Sequence, residues 1–408
     1  MTASLAGLDA TRVLDPAAYA LGDRAPRLAL RPGAAAEVAA ALEAATRDGL
    51  TVVPWGGGTR HDRTRAPERY DLALDLSALD RVIEYDPEDL TLTAECGVTL
   101  ARLGELVSAK GQELPLESAH AARATLGGTL ATNDSGPRRL RLGAPRDRIL
   151  GARFALADGT LARSGGKVVK NVAGFAIHRL LCGSRGGLAV LLEASLKLLP
   201  APDARVALVY PASPGQIAER RRWELLPRLE PAFVTVLGAN PNGHGPATSE
   251  APFAVVVGLE DDAAWVTEQE RRMVATLGNP VARLVGAEFV ELLMSLADAG
   301  HAGAPRLTFT SAHNTPAALA PLLSRPEAAR LVFHAPAGRL HWFPAAKDSS
   351  ALVRELFGLG FTPIEAAGGA RFDPAIPPEV GVLALRRRLR AALDRTGTLA
   401  LGIINPAS

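Results

Sequence analysis

Three glycine-rich stretches hold the residues best suited to chemistry. Pro54-Trp55-Gly56-Gly57-Gly58-Thr59 closes a short β-prone run. Adjacent glycines let the chain turn with positive φ, and consecutive inward amides form an anion nest that suits a pyrophosphate, with Thr59 as an added hydroxyl donor. The second stretch is Ala124-Thr125-Leu126-Gly127-Gly128-Thr129-Leu130-Ala131-Thr132-Asn133, followed by Gly136 and preceded by Glu117 and His120. It offers unobstructed amides beside small polar side chains. The third runs from Lys170-Asn171-Val172-Ala173-Gly174-Phe175 to Gly183-Ser184-Arg185-Gly186-Gly187-Leu188-Ala189-Val190. Each stretch alone reads equally well as a tight turn. Standard phosphate loops are missing, since no G-x-G-x-x-G opens a helix after the first run and Gly165-Gly166-Lys167 lacks the hydroxyl residue after its lysine.

These stretches need elements to hold them. Glu37 to Asp48 reads as an alanine-rich amphipathic helix between Pro32-Gly33 and Gly49. Thr51 to Pro54 is a short β-prone run, Leu72 to Leu76, Val82 to Tyr85 and Leu90 to Ala94 read as strands, and Thr99 to Lys110 as a helix stopped by Gly111. After Pro200-Ala201-Pro202, strands are expected at Val206 to Tyr210, Phe253 to Gly258 and Leu331 to Phe333. Helices are expected there at Ala263 to Leu277, Phe289 to Ala297 and, with a cationic face, Arg386 to Asp394.

With 408 residues, two or three domains are expected. A net charge of +2 is far from the footprint of a nucleic-acid binder, and two cysteines exclude a disulfide scaffold or a cysteine-rich zinc domain. No long uncharged apolar run and no leader pattern are found, so a cytoplasmic protein is expected, peripheral to the inner membrane at most through its partners.

Taken together, V-V-P-W-G-G-G-T, E-C-G-V, A-T-L-G-G-T-L-A-T-N, K-N-V-A-G-F and G-S-R-G-G-L-A-V resemble the FAD-binding domain of PCMH-type flavoproteins, the vanillyl-alcohol oxidase superfamily, over about residues 25–200. Glu117-x-x-His120, Gly136-Pro137-Arg138-Arg139, Arg339-x-x-Trp342 and Asn405-Pro406 make the chain most similar to the FAD-binding subunits of bacterial glycolate oxidases. The resemblance implies an α+β chain: a lead-in over 1–24, an FAD domain of two α/β subdomains over 25–200, a smaller α/β substrate or cap domain over 201–380, and a helix and tail over 381–408 that return to the first domain. It implies FAD held by Trp55, Gly56, Gly57, Gly58 and Thr59 at the pyrophosphate and by Glu117, Thr125, Gly127, Gly128, Thr132 and Asn133 along the ribityl and flavin side. Ala189 and Val190 would meet the adenine end and Asn405 the flavin. Thr59 stands where some relatives carry a histidine linked to the cofactor, with His61 displaced by two, so non-covalent FAD is expected.

For the reaction, the resemblance implies a small 2-hydroxy acid as substrate, a homologous flavin subunit and an iron–sulfur subunit as partners. A catalytically incomplete accessory subunit, or a stand-alone alcohol or sugar oxidoreductase, are the rival readings. Oxidising a 2-hydroxy acid requires a cation for the carboxylate and a base for the hydroxyl proton. Arg138 and Arg139 offer guanidinium forks, although P-R-R-L-R-L-G-A-P-R-D-R reads equally as a solvated basic face. His120 is the candidate base and Lys170 the candidate cation beside the flavin, each with a plain structural alternative. Arg339 and His341 alternate with Leu340 and Trp342, so on a strand both project from one face. The H-G-x-G-x-x-H pattern of some D-lactate-oxidising relatives is not found, and no metal is expected. The runs Arg138 to Arg148 and Arg386 to Arg390 raise the expectation of an acidic partner.

Overall fold

The structure, a computed structural model, describes residues 12–61, 67–118, 120–167, 174–224, 226–238, 251–297, 306–312, 315–323, 330–343, 350–367 and 380–400. Two compact units emerge. The first comprises Met1–Asp134, Ala144–Ala201 and Pro377–Ser408, the second Ser135–Gly143 and Pro202–Ile376.

The first unit contains two main sheets. One has four strands in the order Val13–Leu14, Leu28–Leu30, Leu72–Asp75, Val52–Trp55, with the last three mutually parallel. The connection from Leu30 to Val52 is the helix Ala35–Arg47. Its N-cap, Ala34, has no capping side chain, and the Glu37 carboxylate instead accepts from the Gly33 amide at 2.7 Å. Val38, Leu42 and Ala45, spaced for one helix face, pack with Leu30, Val52, Leu72 and Leu74. The other sheet has five antiparallel strands in the order Val82–Asp86, Thr91–Glu95, Val190–Lys197, Ile149–Ala155, Leu161–Gly165. Val190–Lys197 shows why its sequence is apolar on both faces: Val190 and Leu192 join the core around Ala35–Arg47, whereas Leu191, Ala194 and Leu196 join the core under the helices Leu100–Ser108 and Leu126–Thr132.

The second unit is built on one eight-stranded antiparallel sheet. Its order is Ala282–Val285, Ala204–Ala212, Phe253–Asp261, Phe233–Leu237, Leu331–His334, Arg339–Trp342, Arg306–Ser311, Phe361–Ala367. One face carries the larger core, with Val266 and Met273 of helix Ala263–Leu277 and Val353 and Leu356 of helix Ser350–Gly358. The opposite face carries a smaller core with Phe289 and Leu296 of helix Gly286–Ala297. Four of these strands were not anticipated individually; Phe233–Leu237 is buried along its whole length and so has no alternation to betray it, whereas Ala282–Val285 alternates but is only four residues long. The C-terminal helix begins earlier than its arginines suggest, at Val380, and ends at Leu393.

Candidate functional site

The three glycine stretches converge in the first unit. Strand Val52–Trp55 delivers the loop 56–59 against the turn before helix Leu126–Thr132, and the fit is tight. A Cβ on Gly57 would lie 1.7 Å from the Arg123 carbonyl oxygen, and one on Gly56 would lie 2.2 Å from Thr125 Oγ1. Gly58 is the loop's positive-φ position, at 67°. The third stretch closes the other side. The Arg185 amide donates to the Ala131 carbonyl at 2.8 Å, and a Cβ on Gly186 would meet Pro54 Cγ at 2.9 Å. Thr125 caps the helix by accepting from the Gly128 amide at 3.2 Å, and Asn133 ends it in the left-handed conformation at φ 51°.

These contacts frame an open cleft whose walls include Gly57, Gly58, Thr59, Arg60, His61, Thr125, Gly128, Thr132, Asp134 and Arg185. Arg60 and Asp134 form an ion pair at 2.5 Å on the wall, both side chains largely buried. Gly57 and Gly58 bring main chain rather than side chains to the cleft wall, packed against Arg123 and Trp55, which suits a phosphate-bearing cofactor held by main-chain amides.

Six of the expected cofactor residues line this cleft: Gly57, Gly58, Thr59, Thr125, Gly128 and Thr132. The others stand elsewhere. Trp55 turns inward, its indole Nε1 donating to Tyr70 Oη at 2.6 Å and its ring meeting Tyr19 edge-on at 5.1 Å. Gly56 backs onto Thr125, and Gly127 packs against Cys96. Ala189 and Val190 have their side chains in the core. Asn133 Oδ1 accepts from the Arg146 amide at 3.1 Å. Glu117 and His120 are half-buried, and it is Ser118 between them that reaches the cleft. Lys170 and Asn405 lie outside the described residues. Sequence reasoning missed Arg60, Asp134 and Arg185 as cleft residues, because charged side chains beside a glycine run carry no pattern of their own.

Arg138 belongs to the second unit and serves a different purpose from the expected one. Its guanidinium lies 3.1 Å from the fully buried Glu260 carboxylate. Arg141 pairs with the same carboxylate at 3.7 Å and with Asp261 at 3.4 Å, and Arg205 approaches Glu260 at 4.0 Å. Arg139 donates to Ser135 Oγ at 2.9 Å. The run from Arg138 to Arg148 is therefore no continuous exposed basic surface, because its first part is neutralised within the unit. On the C-terminal helix, Arg387 and Arg388 are exposed.

A second polar group lies on the eight-stranded sheet. His341 Nδ1 is 3.1 Å from Thr308 Oγ1, His334 Nδ1 is 2.9 Å from Thr235 Oγ1, and the two rings meet edge-on with centroids 5.6 Å apart. Strand register explains the meeting: His334 pairs with Arg339 and Val332 with His341, so the two histidines are diagonal neighbours across a hairpin. His334 was not foreseen. The signal was its spacing, since a turn over 335–338 brings residues 334 and 341 to one face. Among the described residues no group of three or more histidines, cysteines or acids is placed to hold a metal ion.

Burial, and then the neighbouring Arg185, push His61 down to about 4, although part of its surface still meets solvent. Burial, and then Arg339, push His334 down to about 3. Between these values and the ordinary ~6.5, the unfolded chain binds protons that the folded chain does not. Stability therefore rises with pH across that window and levels off above about 6.5. The urea midpoint should fall on going from pH 7 to pH 5, and His334→Gln should make the fall shallower. An unchanged slope in that variant would count against a buried neutral His334. Burial pushes both thiols up, Cys182 to about 12, so neither is a nucleophile at neutral pH.

Comparison with known proteins identifies the class. Residues 26–165 match the family described as FAD binding domain. This part of the chain is an FAD-binding domain of the PCMH type, and its cofactor is FAD. The cleft framed by the glycine stretches, walled by main chain at Gly57, Gly58 and Gly128, fits that cofactor.

The chain is 32% identical over 184 residues to glycolate oxidase subunit GlcD of Bacillus subtilis (45% of this chain, 39% of that protein). It is 40% identical over 156 residues to glycolate oxidase subunit GlcE of Escherichia coli (38% and 45%), and 33% identical over 192 residues to D-lactate dehydrogenase of Archaeoglobus fulgidus (46% and 43%). It thus spans less than half the length of these relatives. Among solved structures, alkyldihydroxyacetonephosphate synthase superposes with a TM-score of 0.68 at 16% identity, over 92% of this chain and 77% of that one, which shows a shared fold. Among the described residues no helix is long and apolar enough to cross a membrane.

Proposed function

We propose that this chain is the FAD-binding subunit of a 2-hydroxy-acid dehydrogenase of the glycolate oxidase kind, acting on a CH–OH group and passing electrons to an iron–sulfur partner alongside a homologous flavin subunit. The observation that carries the reading is the convergence of the three glycine stretches on one cleft, in a segment 32–40% identical to glycolate oxidase subunits. When bound, FAD supplies the acceptor for the hydride leaving the substrate carbon.

The chain's own residues do the rest. Amides of 57–59 hold the pyrophosphate, the Arg185 guanidinium offsets its charge, and Thr125, Gly128 and Thr132 line the cofactor's length.

One observation favours the accessory reading. Arg138, the expected carboxylate clamp, is occupied by Glu260. The test is the purified chain mixed anaerobically with glycolate or D-lactate while the visible flavin band is followed. Bleaching by the chain alone supports the enzyme. Bleaching only with partner subunits supports the accessory role, and none in either case sinks both.

A cofactor that binds only the folded chain must also stabilise it. FAD added to stripped protein at 100 times its dissociation constant should contribute about 2.7 kcal/mol, or roughly 5–10 °C in melting temperature. A melting temperature indifferent to FAD would contradict the assignment.

A further inference from the structure

The second unit contains an open cleft of its own, which among the described residues shares no wall residue with the cofactor cleft. Its floor is apolar, with the buried Trp223 and Val234, and its wall includes the partly exposed Trp265 at the start of helix Ala263–Leu277. Among the described residues three charged ones line it: Arg141, Glu230 and Asp261. The guanidinium of Arg141 is already engaged, donating to the Glu260 carbonyl and pairing with Asp261 at 3.4 Å. Among the described wall residues that leaves the exposed Glu230 as the surplus charge.

The backbone at Glu230 is unusual. It stands at φ 44°, in a region that disfavours residues with a Cβ. Packing must hold it there, and the conformation places an exposed acidic residue at a cleft whose aromatic wall is Trp223 and Trp265. An aromatic wall and a surplus carboxylate are the two elements that recognise an organic cation.

We infer that this cleft binds a small organic ammonium with an apolar or aromatic body, its body against Trp265 and Trp223 and its cationic end toward Glu230. The site is independent of the flavin reading, because every wall residue lies in the second unit.

The test uses the full-length, flavin-loaded chain and three probes with similar phenyl bodies: phenethylamine, 3-phenylpropanol and 3-phenylpropionate. Binding is measured by calorimetry, with circular dichroism to confirm folding of each variant. Phenethylamine should saturate the protein and bind more tightly than the alcohol, and the propionate most weakly. Glu230→Gln should weaken phenethylamine about fivefold and leave the alcohol unchanged. Trp265→Leu should weaken both. Failure of phenethylamine to saturate, a propionate that binds as tightly, or binding unmoved by both substitutions would overturn the proposal.

Discussion

Gly57→Asp should release essentially all FAD from the protein. A Cβ at this position falls 1.7 Å from the Arg123 carbonyl oxygen and 2.5 Å from its carbon, both main-chain atoms that cannot swing aside. The loop would have to leave the turn at 123–125, and the new carboxylate would then face two phosphates. Each effect costs on the order of 1 kcal/mol or more, so the FAD dissociation constant should weaken at least about thirtyfold. The ratio of flavin to protein absorbance after gel filtration reads the result directly. Gly111→Ala is the control. Gly111 has φ 66° but nothing within 4 Å of a built Cβ, so that variant bears only local strain and should keep its flavin. Full flavin content in Gly57→Asp would remove the pyrophosphate assignment.

Glu260→Gln should destabilise the second unit by about 3 kcal/mol, because it leaves the guanidinium of Arg138, only 10% exposed, without its counter-charge. Arg141 and Arg205 sit against the same carboxylate, so the loss leaves a cationic cluster in a buried place. Three of the four tryptophans, Trp223, Trp265 and Trp342, lie in this unit, so the fluorescence-detected urea transition reports on it. A partial recovery is expected when Arg138→Leu is combined with Glu260→Leu, since an apolar pair of similar volume avoids the desolvation cost. If Glu260→Gln unfolds at the wild-type urea concentration, the cluster is not what pins the segment 135–143 to the sheet.

Parts of this molecule were legible without a fold. Helix Ala263–Leu277 lies where its periodicity and flanks put it, and strands Leu72–Asp75 and Val82–Asp86 fall within a residue of their expected ends. The order of the glycine stretches likewise pointed to a nucleotide cofactor, since close approach of backbone to phosphate demands residues without side chains, wherever the chain carries them. At Gly57, however, the requirement turned out to be steric contact with Arg123 rather than a positive φ, which falls on Gly58.

Other decisions rest on partners far away in sequence. Arg138 looked like a substrate clamp because it follows the cofactor segment, but Glu260, 122 residues on, receives it. Trp55 stood inside the loop motif yet turns to Tyr70 and Tyr19, since an indole with a hydrogen-bond partner gains more from burial than from solvent. His334 joined His341 only through the register of a hairpin. Local pattern determines where an element starts, which face it buries and where the chain can turn. Which charges neutralise one another, and which polar side chains are left facing a cleft, is determined only when strands pair and helices pack, because burial and electrostatic partnership are properties of the surroundings and not of the residue.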